Sequence, residues 1–308
     1  MGMKDYAAVT FHEDFKIMQL TDIHLIRTNL GGPEERSLQL IKKLADEEKP
    51  DFIAITGDLS YTDTVTNCYT VFTRFMDRLG IPWGYAMGNH DDNDGPGYEV
   101  LEPILYNTEF CLYRHGLAEV SGYGNYVIGL IDSERKPLWL LYFLDTHDGR
   151  KDPLRLYPDQ IDWYRNRRDL FAEQTGRDSV PAMFFFHVPL REYLGMYESG
   201  QAEGVMLESV AAQDINTGFF DAIKEKGDGK AVFVGHDHVN DWAGYKDGVL
   251  LAYGRACCYD EERIGGIPRS GYLKPGFLPG CRMISLRSDG SFRTWVRLSD
   301  GSVLYNDK

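Results

Sequence analysis

No stretch of the 308-residue sequence approaches the roughly 20 consecutive apolar residues that a membrane-crossing helix requires, so no membrane span is expected. Met1 to Asp5 holds no basic start leading into an apolar run, and no secretory leader is expected. Cysteine is sparse and unpatterned. Cys68, Cys111, Cys257, Cys258 and Cys281 make an odd count without the spacing of a zinc knuckle or a disulfide framework. A reduced, cytoplasmic protein is the resulting expectation. Basic charge is in deficit, with 33 Lys and Arg against 47 Asp and Glu and a formal net charge of -14. Proteins that grip a nucleic-acid backbone present a basic face, so no nucleic-acid partner is expected. The acidic balance does not exclude a phosphorylated substrate, because bound cations would dominate the local field. No repeat, low-complexity tract or Pro/Ser-rich linker divides the chain, which predicts a single domain over residues 1–308.

What is present is a recurring unit: a short apolar run that stops at Gly, Asp or His and gives way to polar residues. Residues 16–20 run into Thr21-Asp22-Ile23-His24, and a helix is predicted over 34–48 with Leu38, Ile41 and Leu44 on one face. Residues 51–56 run into Gly57-Asp58, followed by a helix over 66–79 carrying Val71, Phe72, Phe75 and Leu79. Residues 82–87 run into Gly88-Asn89-His90-Asp91. This alternation signals βαβ units and a largely parallel sheet. Further on, strands at 126–131 and 139–144 flank a turn at 132–137, and a helix is predicted at 158–174. Runs at 182–186 and 230–234 end in His187 and in Gly235-His236-Asp237-His238. The remainder reads as antiparallel strands at 248–253, 281–286 and 292–298, with Ser288-Asp289-Gly290 as a hairpin turn. The sum is an α/β protein with two sheets, mixed rather than purely parallel.

Five polar clusters thus sit just beyond strand ends, where open α/β sheets place their ligands. Singly, an Asp-x-His, a Gly-Asp or a lone His after a strand is more often a turn or a packed residue than a functional one. Together they gather Asp22, Asp58, Asn89 and five of the eight His of the chain, the donor types expected for zinc, iron or manganese.

The ordered set DIH, GDLS, GNHD, FFHVP and GHDH, spanning residues 16 to about 254, resembles the calcineurin-like metallophosphoesterases. FFHVPLREY, NTGFFDAI and VFVGHDHVNDW further resemble the small relatives of purple acid phosphatases. The resemblance implies a two-sheet sandwich flanked by helices in four layers, with a binuclear centre of two divalent or mixed-valence transition metal ions (Mn, Fe or Zn). It implies that Asp22, His24 and His238 hold the first metal and that Asn89, His187 and His236 hold the second, with Asp58 bridging. His90 is expected to act on the phosphate rather than bind metal, protonating the leaving oxygen, and Asp91 to orient His90 through its other N–H. Two metals in such a site clamp both sides of an in-line displacement and lower the pKa of bound water, so direct attack by a metal-bridging hydroxide, with no phospho-enzyme, is expected. The substrate would be a phosphorylated small molecule or a phosphoprotein, most simply a monoester. A phosphodiesterase on cyclic nucleotides or phospholipid-type diesters, and a non-catalytic scaffold of the same fold, remain as alternatives.

Some residues lie outside this scheme. Tyr61, three residues after Asp58, occupies the place of the iron-binding tyrosine of purple acid phosphatases, yet those enzymes lack the histidine found here as His24; His24 is taken as the ligand and Tyr61 as a neighbour. His147 is read as a satisfied surface or supporting residue, and Arg27, Arg191 and Arg255 as solvent-facing charge. Cys257 and Cys258 are read as small buried residues. The loops 92–123, 189–215 and 255–280 are long and rich in Gly and Tyr, and are expected to carry substrate selection.

Overall fold

The structure, a computed structural model, describes residues 6–25, 33–60, 65–91, 97–259, 263–264, 267–268, 274 and 276–304. In chain order the elements are β1 (Ala7–Thr10), β2 (Phe15–Leu20), α1 (Pro33–Glu48), β3 (Phe52–Thr56), α2 (Val65–Leu79), β4 (Trp83–Ala86) and α3 (Tyr98–Tyr106). There follow β5 (Tyr126–Ile131), β6 (Pro137–Phe143), α4 (Pro158–Thr175), β7 (Ala182–Phe185), β8 (Ala202–Glu203), α5 (Phe219–Lys224) and β9 (Gly229–Val234). The last group is β10 (Ala243–Lys246), β11 (Val249–Tyr253), β12 (Arg263–Ile264), β13 (Ile267–Pro268), β14 (Gly280–Leu286), β15 (Phe292–Leu298) and β16 (Val303–Leu304).

Two mixed sheets carry the fold, as the sequence pattern predicts. One has the order β16-β15-β14-β2-β3-β4, the other β1-β5-β6-β7-β9-β11-β10-β8. β2, β3 and β4 run parallel, as do β6, β7, β9 and β11. β14 and β15 form the antiparallel hairpin expected around Gly290.

Side-chain alternation, with period 2, assigns each face of the larger sheet. Leu141, Phe143, Met183, Phe185, Ala231 and Phe233 point into the space between the sheets and pack with β2, β3 and β4. Leu140, Tyr142, Phe184, Val232 and Val234 point outward into a second core beneath α4 and α5. Because both faces are covered, the strands read as continuous apolar runs rather than alternating ones. Phe184, Phe185 and Phe186 are wholly buried between these layers. On the other side α1 buries Leu40, Ile41, Leu44 and Ala45, with Leu38 only half-buried at the margin of that stripe. α2 buries Cys68, Tyr69, Phe72, Phe75 and Met76, while Val71 and Leu79 stay half-buried. α4 starts with Pro158 and stops at Gly176, whose left-handed φ of 65 returns its N–H to the last turn. None of the five cysteines forms a disulfide and all are buried, including Cys257 and Cys258.

Two predicted loops hold more structure than their composition suggests. Residues 92–123 contain α3, and 189–215 contain a turn of 3-10 helix and β8. Residues 260–262, 265–266, 269–273 and 275 of the third loop, and all of 92–96, lie outside the described residues.

Candidate metal centre

The carboxyl ends of β2, β3 and β4 meet those of β7 and β9 on one rim of the sandwich. Gln19 Nε2 donates to Thr56 Oγ1 and to the Val234 carbonyl, both at 3.0 Å, tying the two sheets together directly below that rim. The loops after β2 and β3 then pair with each other: Asp22 N–H to Gly57 O (3.2 Å), His24 N–H to Asp58 O (3.1 Å) and Leu25 N–H to Leu59 O (2.7 Å).

These loops hold side chains in an uncommon backbone state. Asp22, His24, Asp58 and His236 have φ of 50, 48, 53 and 76, the left-handed region that costs ordinary L-residues free energy. Strain concentrated on four residues of the predicted set is a mark of a site held in place by its surroundings. Glycine makes the convergence possible. A Cβ at Gly57 would stand 2.6 Å from His187 Nδ1 and 2.7 Å from Gly88 Cα, and one at Gly88 would overlap Asp58.

Asp58 lies at the centre and is fully buried. Its Oδ1 accepts the His90 N–H at 2.9 Å. Its Oδ2 accepts no hydrogen bond among the described residues, yet faces His187 Nε2 at 3.2 Å and His24 Nε2 at 3.7 Å. His187 Nδ1 donates to the Thr56 carbonyl at 2.8 Å, so a neutral His187 presents a bare lone pair to the Asp58 carboxylate. Two lone pairs cannot face each other unshielded; a positive charge belongs between them. In the metal-free chain a proton takes that place. Burial lowers the His187 pKa, but the Asp58 and Asp22 charges outweigh it and push it up to about 10. Asp58 is held well below its usual value: burial opposes this, and the adjacent His187 outweighs it.

Around Asp58 the donors fall into two groups. On one side Asp22, His24 and His238 join it, and one donor atom from each of the four lies within 4.8 Å of the others. His24 Nε2 is 3.1 Å from His238 Nε2, and His238 Nε2 is 3.5 Å from Asp22 Oδ1. On the other side His236 Nδ1 is 3.3 Å from His187 Nε2, and Asn89 Oδ1 is buried without a hydrogen-bond partner among the described residues. Donor atoms about 2.1 Å from a shared ion stand about 3.0–3.4 Å apart, so the spacings and the orphaned oxygens fit metal ions. Burial pushes His236 down to about 4 and His238 to about 3, which leaves both imidazoles neutral and able to donate lone pairs at neutral pH. The structure thus brings Asp22, His24, Asp58, His187, His236 and His238 together on one rim, and Asn89 precedes His90, whose backbone N–H bonds to Asp58.

His90 also reaches the rim, its ring 5.8 Å from that of His24. Asp91 behaves differently from the expectation that it orients His90. It is fully buried, and its carboxylate accepts the backbone N–H groups of Asp58 (3.1 Å), Leu59 (2.9 Å) and Gly88 (2.8 Å), together with the Tyr85 hydroxyl (2.6 Å). Asp91 therefore clamps the loop after β3 to the loop after β4. A carboxylate so short and so close to unpaired loop amides is drawn to them before it can reach a ring.

Of the other singled-out residues, Tyr61 and Arg27 lie outside the described residues. Arg191 donates to the carbonyls of Gln213 and Asp214. Arg255, expected to face solvent, is instead 2 % exposed, paired with Asp241 and laid over the Phe277 ring at 3.2 Å. His147 is buried against Tyr157, and its neighbour Thr146 accepts the Val188 N–H beside His187. The sequence reading missed Tyr85, Asp237, Tyr253 and Glu208. Asp237 accepts the Ala211 N–H and the Tyr253 hydroxyl, and Glu208 accepts the Val239 N–H at 2.8 Å, so both anchor the loop that carries His236 and His238. Only Asp237, lying between two motif histidines, carried a local signal; the others come to the loop from distant segments.

The profile of the family described as "Calcineurin-like phosphoesterase" matches residues 15–240. Among curated proteins, "Probable inactive purple acid phosphatase 29" of Arabidopsis thaliana is 29% identical over 93% of this chain and 83% of its own length. Among solved structures, a dimetal phosphatase from Danio rerio superposes with a TM-score of 0.62 at 11% identity, covering 96% of this chain and 100% of its own. The purple acid phosphatase PPD1 from yellow lupin (Lupinus luteus) seeds gives 0.53 at 14% identity, covering 94% of this chain and 52% of its own. Sequence, fold and converging donor set agree: the chain belongs to the calcineurin-like phosphoesterases, hydrolases of phosphoric ester bonds.

Proposed function

We propose that this protein hydrolyses phosphate monoesters at a centre of two metal ions, one held by Asp22, His24 and His238, the other by Asn89, His187 and His236, with Asp58 shared between them. The observation that carries this reading is the buried, donorless Oδ2 of Asp58, which faces imidazole nitrogens from both groups. Nitrogen and oxygen donors of this kind suit manganese, iron or zinc. Bound there, the ions would neutralise the phosphate and lower the pKa of water.

The chain's own residues do the rest. Asp91 and Tyr85 fix the spacing of the Asp58 and Asn89 loops. His90, held through its backbone by Asp58 and placed beside His24, delivers a proton to the leaving oxygen. Burial lowers its pKa from the ordinary 6.5, the Asp58 charge opposing, which makes its protonated form the stronger acid. The printed name of the Arabidopsis relative includes "probable inactive"; the filled donor set and His90 support a working catalyst here. The test is hydrolysis of para-nitrophenyl phosphate beside bis-para-nitrophenyl phosphate, on protein with its metals counted. Faster monoester turnover is expected. A diester preference would overturn the monoester reading, and no turnover of either ester on fully loaded protein would leave a scaffold.

A further inference from the structure

The loop that carries His236 and His238 is held in two different ways along its length. Its first half is fixed from within the sandwich. The Gly235 N–H donates to the His187 carbonyl at 3.0 Å, and the His236 N–H to Asp22 Oδ1 at 3.3 Å. A Cβ at Gly235 would overlap the Thr21 hydroxyl, so this half is pressed against the loop after β2. Its second half is held from outside, by residues 205–211 of the long loop that follows His187. Asp237 Oδ1 accepts the Ala211 N–H at 3.2 Å. The Val239 N–H donates to Glu208 Oε1 at 2.8 Å, and the Val239 carbonyl accepts the Leu207 N–H at 3.2 Å. Asn240 Nδ2 donates to the Glu208 carbonyl at 3.2 Å. The Asp241 N–H donates to the Val205 carbonyl at 2.9 Å, while Asp241 Oδ1 accepts the Val205 N–H at 2.7 Å. A backbone hydrogen bond from His238 also reaches the Glu208 carboxylate.

We propose that residues 205–211 are a strap that sets the affinity of the metal site built on Asp22, His24 and His238, with Glu208 as its positioning residue. The proposal rests on the two-metal reading above. His238 stands between Asp237 and Val239, and both are held by the strap. His236 keeps anchors of its own at Asp22 and, through Gly235, at His187. A donor binds tightly when its backbone already holds it in place, and a lost supporting group typically costs about 10–100-fold in metal affinity. Removing the Glu208 carboxylate therefore loosens one site and spares the other. The chain that leaves His187, a donor to one metal, thus returns to position His238, a donor to the other.

The test is a manganese titration of the metal-free native chain, Glu208→Ala and Glu208→Gln, with the free ion read by electron paramagnetic resonance. Two ions per native chain are expected. In Glu208→Ala one ion should bind about 10–100-fold more weakly and the other near its native affinity. Glu208→Gln keeps an acceptor oxygen for the Val239 N–H and should restore most of the loss. In His238→Ala, which already lacks the affected site, adding Glu208→Ala should leave the remaining ion unchanged. Glu208 is half-buried, and near-ultraviolet circular dichroism checks that its variants fold. Equal affinities in the native chain and a folded Glu208→Ala variant would overturn the proposal, as would an equal weakening of both ions, the mark of a purely structural role. Fewer than two ions on the native chain would instead overturn the two-metal reading beneath it.

Discussion

Strands β2 and β3 carry an Asp and a His at both of their ends, and the two ends could hardly differ more. Before the strands, His12 Nε2 and Asp51 Oδ1 lie 2.9 Å apart, with side chains 58% and 30% exposed, and Asp51 Oδ2 accepts the Lys16 N–H at 2.8 Å. Every demand of that aspartate is met by a donor or by water. After the strands, Asp58 and His24 are buried, their backbones are left-handed, and Asp58 Oδ2 faces imidazole nitrogens of His187 and His24 across a gap that calls for positive charge. Burying an unmet charge costs several kcal/mol, so such an arrangement persists only if something cationic completes it. The residue types are the same at both ends. What separates a surface ion pair from a metal centre is desolvation together with the convergence of a second sheet, which brings His187, His236 and His238 to one end only.

The comparison can be broken at either end. The largest effect is expected from Asp58→Asn, which should lower metal affinity by more than the ~10–100-fold typical of residues that merely support a ligand, with turnover lost alongside. Elemental analysis after dialysis measures it; retention of both metals would make Asp58 an ordinary buried carboxylate. Next, His90→Ala should keep the metals and lower kcat by about 10²–10⁴, the contribution of a positioned proton donor. Loss of metal and turnover together would move His90 among the ligands. At the opposite end, Asp51→Ala should cost about 1 kcal/mol of stability in urea unfolding, for the Lys16 N–H it leaves unpaired, and leave kcat/KM unchanged. Smallest of all is the His12 effect. The Glu13 carbonyl and then the Asp51 carboxylate raise the His12 pKa above 6.5. Its contribution is therefore complete below pH 6.5 and fades as pH rises through the raised value. Solvent screening keeps it below about 0.5 kcal/mol. Tm measured across that range should fall slightly in the native chain and not in His12→Asn; an equal slope in both would locate the titration elsewhere.

How far the sequence could be read follows the same division. The donors were legible because each stands a fixed step beyond an apolar run, and strand polarity alone sends such residues to one rim. The long helices were legible from their apolar periodicity, and the β14–β15 hairpin from Ser288-Asp289-Gly290. β1 escaped notice because four residues at a sheet edge carry too little pattern, and α5 because six residues cover barely two turns. The duties of Asp91 and Arg255 were misjudged because a neighbour in sequence is an unreliable guide to a partner in space. Asp91 turns from His90 toward amides of another loop, and Arg255 finds Asp241. Glu208 and Tyr253 were invisible for that reason too, since their partners on the His236–His238 loop lie across 31 and 16 residues of chain.

The most direct test of a shared centre at Asp58 is the number of metal ions per chain after reloading with manganese, iron or zinc, read by elemental analysis on the native chain and Asp58→Asn side by side. Two ions per native chain and a clear deficit in the variant are predicted. Fewer than one ion in the native chain, or equal contents in both, would contradict the account.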